Sequence, residues 1–387
     1  MSCSKETVLI RNGTVYTMGP DKIVQGDILV KNGRIAKIAG RIKASAGAEI
    51  IDAGGCNVFP GFIEAHCHLG LHGYGIGYEG ADYNEYNDAV TPHLRSIDAF
   101  NPFDETVRLA AAGGVTTVNA GPGSANVVGG TFAVYKMKGR TVEEMVIRTP
   151  SAMKCAFGEN PKNCHRDKMI KTRMTTAACL RELLFRTREY YEKKIAAGAD
   201  ASKAPAFDFK LEAMLPVIKK EIPLKAHAHQ ANDIVTAIRI AKEFGIDMTL
   251  DHCTEGHLIA EAVKESGFPV IIGPSLTHAS KFELQNKSWE TPKLLAQAGC
   301  LVAVTTDSPV IPQQYLPLCA GLAVQAGMDH YEALKAITVN PAKILGLDGR
   351  IGSLEEGKDA DIVVCEGDPL SNTSRIRSVL IDGITVA

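Results

Sequence analysis

A (β/α)8 barrel (TIM barrel) carrying a small β-sandwich built from both chain ends is the fold class that the 387-residue sequence predicts. Three observations point to it. The first ~60 and last ~40 residues share one texture, short Val/Ile-rich runs punctuated by Asn-Gly, Gly-Gly or Asp-Gly turns. Between them, apolar strand-like runs alternate with amphipathic helical stretches. Histidines and one aspartate recur at the C-terminal ends of those runs, where barrel enzymes keep their sites.

The terminal runs are ETVLIRNGTVYTM, GDILVKNGRIAKIAG and AEIIDAGGCNVFPG at the start, and GRIGSLEEGKDADIVVCEGDP and RIRSVLIDGITVA at the end. Two separate β modules of that size would each be poorly cored, so one composite domain is expected, residues 1–59 plus 346–387. The barrel then occupies 60–345. Its predicted strands are Gly61–His66, Val115–Ala120, one within Thr131–Met137, Ala152–Phe157, Leu224–Ala228, Met248–His252, Pro269–Gly273 and Leu301–Thr305. Helices are expected over Thr172–Ala197, Ala231–Phe244, His257–Ser266 and Thr291–Ala298. The stretch Gly70–Pro102 is too long for a turn and reads as a loop that covers or shapes a site, with Tyr74, Tyr78, Tyr83 and Tyr86 as lid or anchoring residues.

Composition narrows the function classes. Lys plus Arg total 42 against 44 Asp plus Glu, a formal charge of -2, which offers no long-range pull toward nucleic acid or an anionic membrane. No apolar run approaches the ~18 residues that span a bilayer. Met1–Gly13 lacks a basic segment followed by an apolar one, so no export signal is expected. Ten scattered cysteines without a CxxC pair then read as reduced thiols, and the expected location is the cytoplasm.

The chemistry concentrates in four motifs. His66 and His68 form an HxH at the first strand end, and residues two apart on a strand point the same way. His227 and His229 repeat that spacing in AHAHQ, His252 follows in LDHC, and Asp307 stands in VAVTTDSPV after the last strand. Any one of these could be a polar residue at a barrel rim. The ordered set HxH, H, H, D matches the ligands of a catalytic divalent metal with open positions for water. Cys67, by alternation, should point away and pack. The glycine-rich Gly121–Gly130 lacks a GK[ST] ending and reads as a site-lining loop rather than a phosphate loop.

The segments FPGFIEAHCHLG, AHAHQ, LDHC and TTDSPV, with the closing GSLEEGKDADIVV, resemble the amidohydrolase superfamily of metal-dependent hydrolases over essentially the whole chain. MKCAFGENPK and the helix beginning TRMTT look closest to its imidazolonepropionase-like, prolidase-like branch. The resemblance implies that His66, His68 and Asp307 hold a first ion, with His227 the fifth-strand and His252 the sixth-strand ligand. His227 is favoured over His229, which is left to touch substrate, although spacing does not decide between them. Lys154 occupies the place of a CO2-modified lysine that bridges two ions, and Glu159 is the alternative carboxylate there. An unmodified ammonium would repel the metals, so Lys154 is either carboxylated or turned away. The implied cofactor is one or two divalent ions per chain, zinc first, with manganese or iron as alternatives.

The implied reaction is hydrolysis of a C–N bond in a small amide, cyclic amide or dipeptide-like molecule. Asp307 is the expected base, and His252 or His278 a candidate oxyanion donor. Arg173 is a candidate partner for a substrate carboxylate, as are Lys162 and Lys281, although each also reads as a solvated surface cation. Deamination of a nitrogen heterocycle is the runner-up. Deaminases of the superfamily usually carry His-x-x-Glu on the fifth strand, and here Gln230 follows His227. A catalytically silent barrel is the third reading. The expected partner is a small-molecule substrate, and such barrels commonly assemble into homo-oligomers.

Overall fold

Two eight-stranded sheets organise the chain. The computed structural model describes residues 7–74 and 77–387. The first six residues, where both the sequence reading for an export signal and the first β run begin, lie outside the described residues, as do Gly75 and Ile76 of the long loop. Strands β1 (Thr7–Tyr16), β2 (Ile23–Lys31), β3 (Arg34–Ala39), β4 (Glu49–Asp52) and β5 (Asn57–Pro60) come from the start of the chain. They share one sheet with three strands from its end, here β14 (Ile362–Glu366), β15 (Arg375–Ile381) and β16 (Ile384–Thr385). β5 pairs with β14 in antiparallel register, Val58 opposite Val364, and this pairing closes the composite domain. Its core is β-branched and aliphatic: Val8, Ile10, Ile28, Val30, Val58, Ile362, Val364 and Leu380. Alternation along each strand delivers these residues to one face.

The barrel strands are β6 (Phe62–Cys67), β7 (Val115–Ala120), β8 (Val128–Lys136), β9 (Val146–Ala156), β10 (Leu224–Ala228), β11 (Met248–His252), β12 (Val270–Ile272) and β13 (Val302–Val304), adjacent in that order. The fold class is the one the sequence predicts, with one local departure. β8 runs antiparallel to both β7 and β9. Its connection from β7 is only the loop Gly121–Val127, and a parallel return needs a crossover of a dozen residues or more. The strand therefore doubles back. Gly130, at φ +125, lets this strand pass close to the long loop: a Cβ there would sit 2.5 Å from the Leu94 carbonyl oxygen.

Helices cover the other connections. Arg173–Ala197 is capped by Thr172, whose hydroxyl accepts from the Thr175 amide, and Ala231–Phe244 ends at Gly245 in the left-handed conformation. The predicted helix His257–Ser266 begins instead as a 3-10 turn, Gly256–Ile259, and becomes α-helical over Ala260–Ser266. Barrel and terminal sheet are joined by a buried ion cluster. Lys136, at the end of β8, reaches Asp359 at 2.7 Å, Asp361 at 3.2 Å and Asp382. Burial pushes the Asp361 carboxyl up to about 6, against the pull of Lys136.

Among the described residues no helix is long and apolar enough to cross a membrane. Their nine cysteines are all free thiols.

Candidate metal centre

Four strand ends converge at the C-terminal face of the barrel. β6 presents His66 and, one residue past its end, His68; β10 presents His227, with His229 just beyond; β11 ends on His252; Asp307 follows β13. All are buried. His252 and Asp307 adopt φ values of +70 and +52, in a region that costs a non-glycine residue about 1–3 kcal/mol. The packing around them sustains that conformation. Cys67 packs outward as alternation requires, its thiol beside the Asn119 carbonyl at 3.8 Å.

Four of the five imidazoles are oriented by what their Nδ1 meets, whereas His227 Nδ1 is buried without a hydrogen-bond partner among the described residues. In His68 it lies 2.7 Å from the Gly121 carbonyl oxygen, and in His252 2.6 Å from that of Gly273. His229 Nδ1 is 2.7 Å from Thr254 Oγ1, and His66 Nδ1 is 2.9 Å from Asp251 Oδ2. A backbone carbonyl can only accept, so the rings of His68 and His252 carry their proton on Nδ1. Their Nε2 lone pairs are left for a metal. Burial disfavours the charged form of three of them: His227 and His229 are held well below the ordinary imidazole range, and His252 is pushed down to about 3. Asp307 is the counterpart. Burial opposes its charge, but a proton shared with the His252, His66 or His68 ring sits on the imidazole rather than on the carboxyl, which is held well below the usual range.

Asp307 Oδ1 stands 3.3 Å from both His66 Nε2 and His68 Nε2, yet it is buried without a hydrogen bond. Ligand atoms ~2.1 Å from a shared tetrahedral ion lie about 3.4 Å from one another. The separations and the unsatisfied oxygen therefore fit a divalent cation. Two groups of ligand atoms lie within 4.8 Å of one another, His66–His252–Asp307 and His227–His229–His252. His252 belongs to both.

The predicted residues divide. Lys154 on β9 lies with the histidines, its Nζ 3.4 Å from His66 Nε2 and fully buried. Burial pushes its amine down to about 8, partly offset by Asp251 and Asp307. Glu159 is not brought to the histidines. It starts the short helix Glu159–Cys164 beyond the strand, and its Oε2 accepts from the Glu283 amide at 2.8 Å. Arg173 is also turned away: its Nε reaches both Asp233 oxygens at 3.0 Å and its Nη2 meets Gln230, so it braces two helices. His278 is exposed on the loop after β12.

Above the histidines opens a cavity of about 220 Å³, lined by His68, His227, His229 and Asp307 below and by Tyr83, Asn84, Ser124, Asn160 and Lys281 above. Tyr83 is the loop tyrosine that faces it, whereas Tyr74, Tyr78 and Tyr86 are exposed. Ser124 confirms the glycine-rich segment as part of the wall. Lys281, in turn, approaches Glu283 at 2.5 Å.

Several buried charges escaped the sequence reading. Glu64, two residues before His66, accepts from the His66 and Thr306 amides, the Thr306 hydroxyl and Gln313 Nε2, at 2.8–3.0 Å. It thereby ties the HxH strand to the Asp307 loop. The Thr305 hydroxyl adds a second tie, donating to the His66 carbonyl at 2.7 Å and accepting from the Asp307 amide at 2.9 Å. Asp251, held between His66 and Lys225, orients the His66 ring. The available signal was a charge inside an otherwise apolar strand, two before a site histidine: Glu64 before His66, Lys225 before His227. Glu283, buried beside His227 and His229, had no such local signal.

Comparison with known proteins identifies the family. The amidohydrolase family model matches residues 57–386. The chain is 29% identical to amidohydrolase tasK of Hapsidospora irregularis over 92% of its own length, but it spans only 39% of that protein. It is 27% identical to the imidazolonepropionase of Geobacillus kaustophilus, covering 92% of this chain and 83% of the relative. An amidohydrolase structure from Thermotoga maritima MSB8 superposes with a TM-score of 0.95 at 43% identity, over 98% of this chain and 99% of that one. A prolidase structure with bound N-methylphosphonate-L-proline shares the fold, with a TM-score of 0.62 at 18% identity. With its strand-end histidines, Asp307 and a family match over residues 57–386, the chain belongs to the amidohydrolase family and is a hydrolase of carbon–nitrogen bonds.

Proposed function

We propose that the protein is a metal-dependent amidohydrolase that cleaves an amide, cyclic amide or dipeptide-like C–N bond in a small molecule. One observation carries this reading: imidazoles whose Nδ1 atoms are spoken for turn their Nε2 atoms toward an unsatisfied Asp307 oxygen at tetrahedral ligand spacing. His66, His68 and Asp307 would hold a first ion, and His227 and His252 a second. When bound, a divalent ion supplies Lewis acidity that brings water to a pKa of ~7 and polarises a carbonyl.

The residues of this chain do the rest. Asp307, ionised at neutral pH, takes the proton of the attacking water and returns it to the leaving nitrogen. His252 serves as a ligand rather than as an oxyanion donor, because its one proton is engaged by the Gly273 carbonyl. The cavity is smaller than the ~300–1,000 Å³ of drug-sized pockets, which favours a compact substrate. Gln230 is held by Arg173, so no carboxylate follows His227 in the deaminase manner. Hydrolysis at a carbonyl is therefore preferred over deamination. The test is turnover of Xaa-Pro dipeptides, N-acyl amino acids and imidazolone-type cyclic amides by zinc- or manganese-loaded protein beside chelated protein. Hydrolysis in the loaded sample alone supports the reading; no hydrolysis of any of them, in either sample, rejects it.

As a carbamate, Lys154 would add a carboxylate to the histidines that would hold the metal. Its neutral Nζ bonds the carbon of CO2 and releases one proton. With the amine lowered to about 8, roughly a tenth is neutral at pH 7, and the fraction rises as pH passes that value. A 13C-carbamate signal from labelled bicarbonate should therefore grow between about pH 7 and 8.5 and vanish in Lys154→Ala. A Lys154→Ala variant that binds its ions as wild type does would contradict the assignment.

A further inference from the structure

We propose that Glu283 is a metal ligand, joining His227 and His229 in a two-histidine, one-carboxylate cation position. The inference rests on the metal-dependent reading above and deepens it, because nothing in that reading uses Glu283 or assigns His229 to a metal. Glu283 lies on the 3-10 turn Phe282–Leu284 after β12 and is fully buried. A reciprocal pair of bonds fixes it. The Glu159 amide donates to Glu283 Oε2 at 2.9 Å, while Glu159 Oε2 accepts from the Glu283 amide at 2.8 Å. That leaves Oε1 turned toward the histidines, 3.7 Å from His227 Nε2 and 3.7 Å from His229 Nε2.

Those two separations are close to the ~3.4 Å expected between ligand atoms around one tetrahedral ion. The imidazoles alone are neutral, so a cation among them gains no charge compensation. Glu283 supplies a full negative charge, as Asp307 does at the other position. A buried carboxylate is costly without a cation, and among the described residues the lysine paired with it is Lys281, its Nζ at 2.5 Å. Lys281 reaches it from the loop after β12 with a side chain a quarter exposed, so its ammonium can withdraw to solvent. In this account Lys281 competes with the ion for Oε1.

The experiment is zinc titration by equilibrium dialysis, with Co(II) absorption as a second readout of the ligand field, on wild type, Glu283→Gln and Lys281→Met. Gln keeps an oxygen to accept the Glu159 amide, and circular dichroism checks the fold. Two ions are expected in wild type. Glu283→Gln should weaken one of them by at least ~10-fold and alter the Co(II) spectrum while the other is kept. Lys281→Met should tighten that same ion, a direction that loss of packing would not produce. The proposal is overturned if Glu283→Gln binds both ions like wild type, or if Lys281→Met leaves the second affinity unchanged or lower. The Lys281 arm decides alone if Glu283→Gln does not fold. Because neither readout is turnover, two bound ions without hydrolysis would sink the proposed reaction and leave Glu283 a ligand. Hydrolysis by a one-ion protein would do the reverse.

Discussion

Asp307→Asn is expected to lower kcat by about 10³-fold at saturating metal, the midrange of what a positioned general base contributes. Asparagine has the shape of aspartate and can keep the left-handed backbone that Asp307 adopts at φ +52, since Asn and Asp tolerate it best. The loop stays anchored through Glu64 and Thr305, which hold backbone atoms and the Thr306 hydroxyl rather than the Asp307 side chain. What is lost is an ionised oxygen that can accept a proton at neutral pH. The variant should fold, keep most of its metal when metal is in excess, and turn over slowly. Turnover near that of wild type would remove Asp307 from the mechanism.

The His66→Ala, His68→Ala double variant is expected to lose the first ion and all measurable activity. These rings supply the two Nε2 atoms that flank Asp307 Oδ1 at 3.3 Å, and His66 is also fixed by Asp251. Without them the Asp307 carboxyl keeps only His252 as a neighbouring ligand in its group. The buried Asp251 is still compensated by Lys225 at 3.2 Å, so the barrel interior is not left with an unpaired charge. Metal analysis of the folded variant checks this. An unchanged metal-to-protein ratio would refute the ligand assignment.

Much of the architecture was legible because the barrel strands are short apolar runs bounded by turn residues. Val115–Ala120, Leu224–Ala228 and Met248–His252 stand where the pattern puts them, as does the helix Ala231–Phe244. Strand direction is different information. Thr131–Met137 reads as a strand either way, and only the short Gly121–Val127 link forces β8 to run backward. The gathering of His66, His68, His227, His252 and Asp307 follows from strand-end position in a barrel, which the sequence does encode. Lys154 and Glu159 were inseparable by sequence because they are five residues apart at one strand end; in the structure the Glu283 amide draws Glu159 aside. Glu283 itself arrives from a loop after another strand, so its approach to His227 and His229 is a tertiary fact with no local pattern.

Metal dependence is tested most directly by elemental analysis of the purified chain, as isolated and after chelation and reloading with zinc or manganese. Close to two ions per chain are expected, removed by chelator together with hydrolytic activity and restored with it. No bound ion after reloading, with the fold intact, would contradict metal dependence and leave a silent barrel in its place.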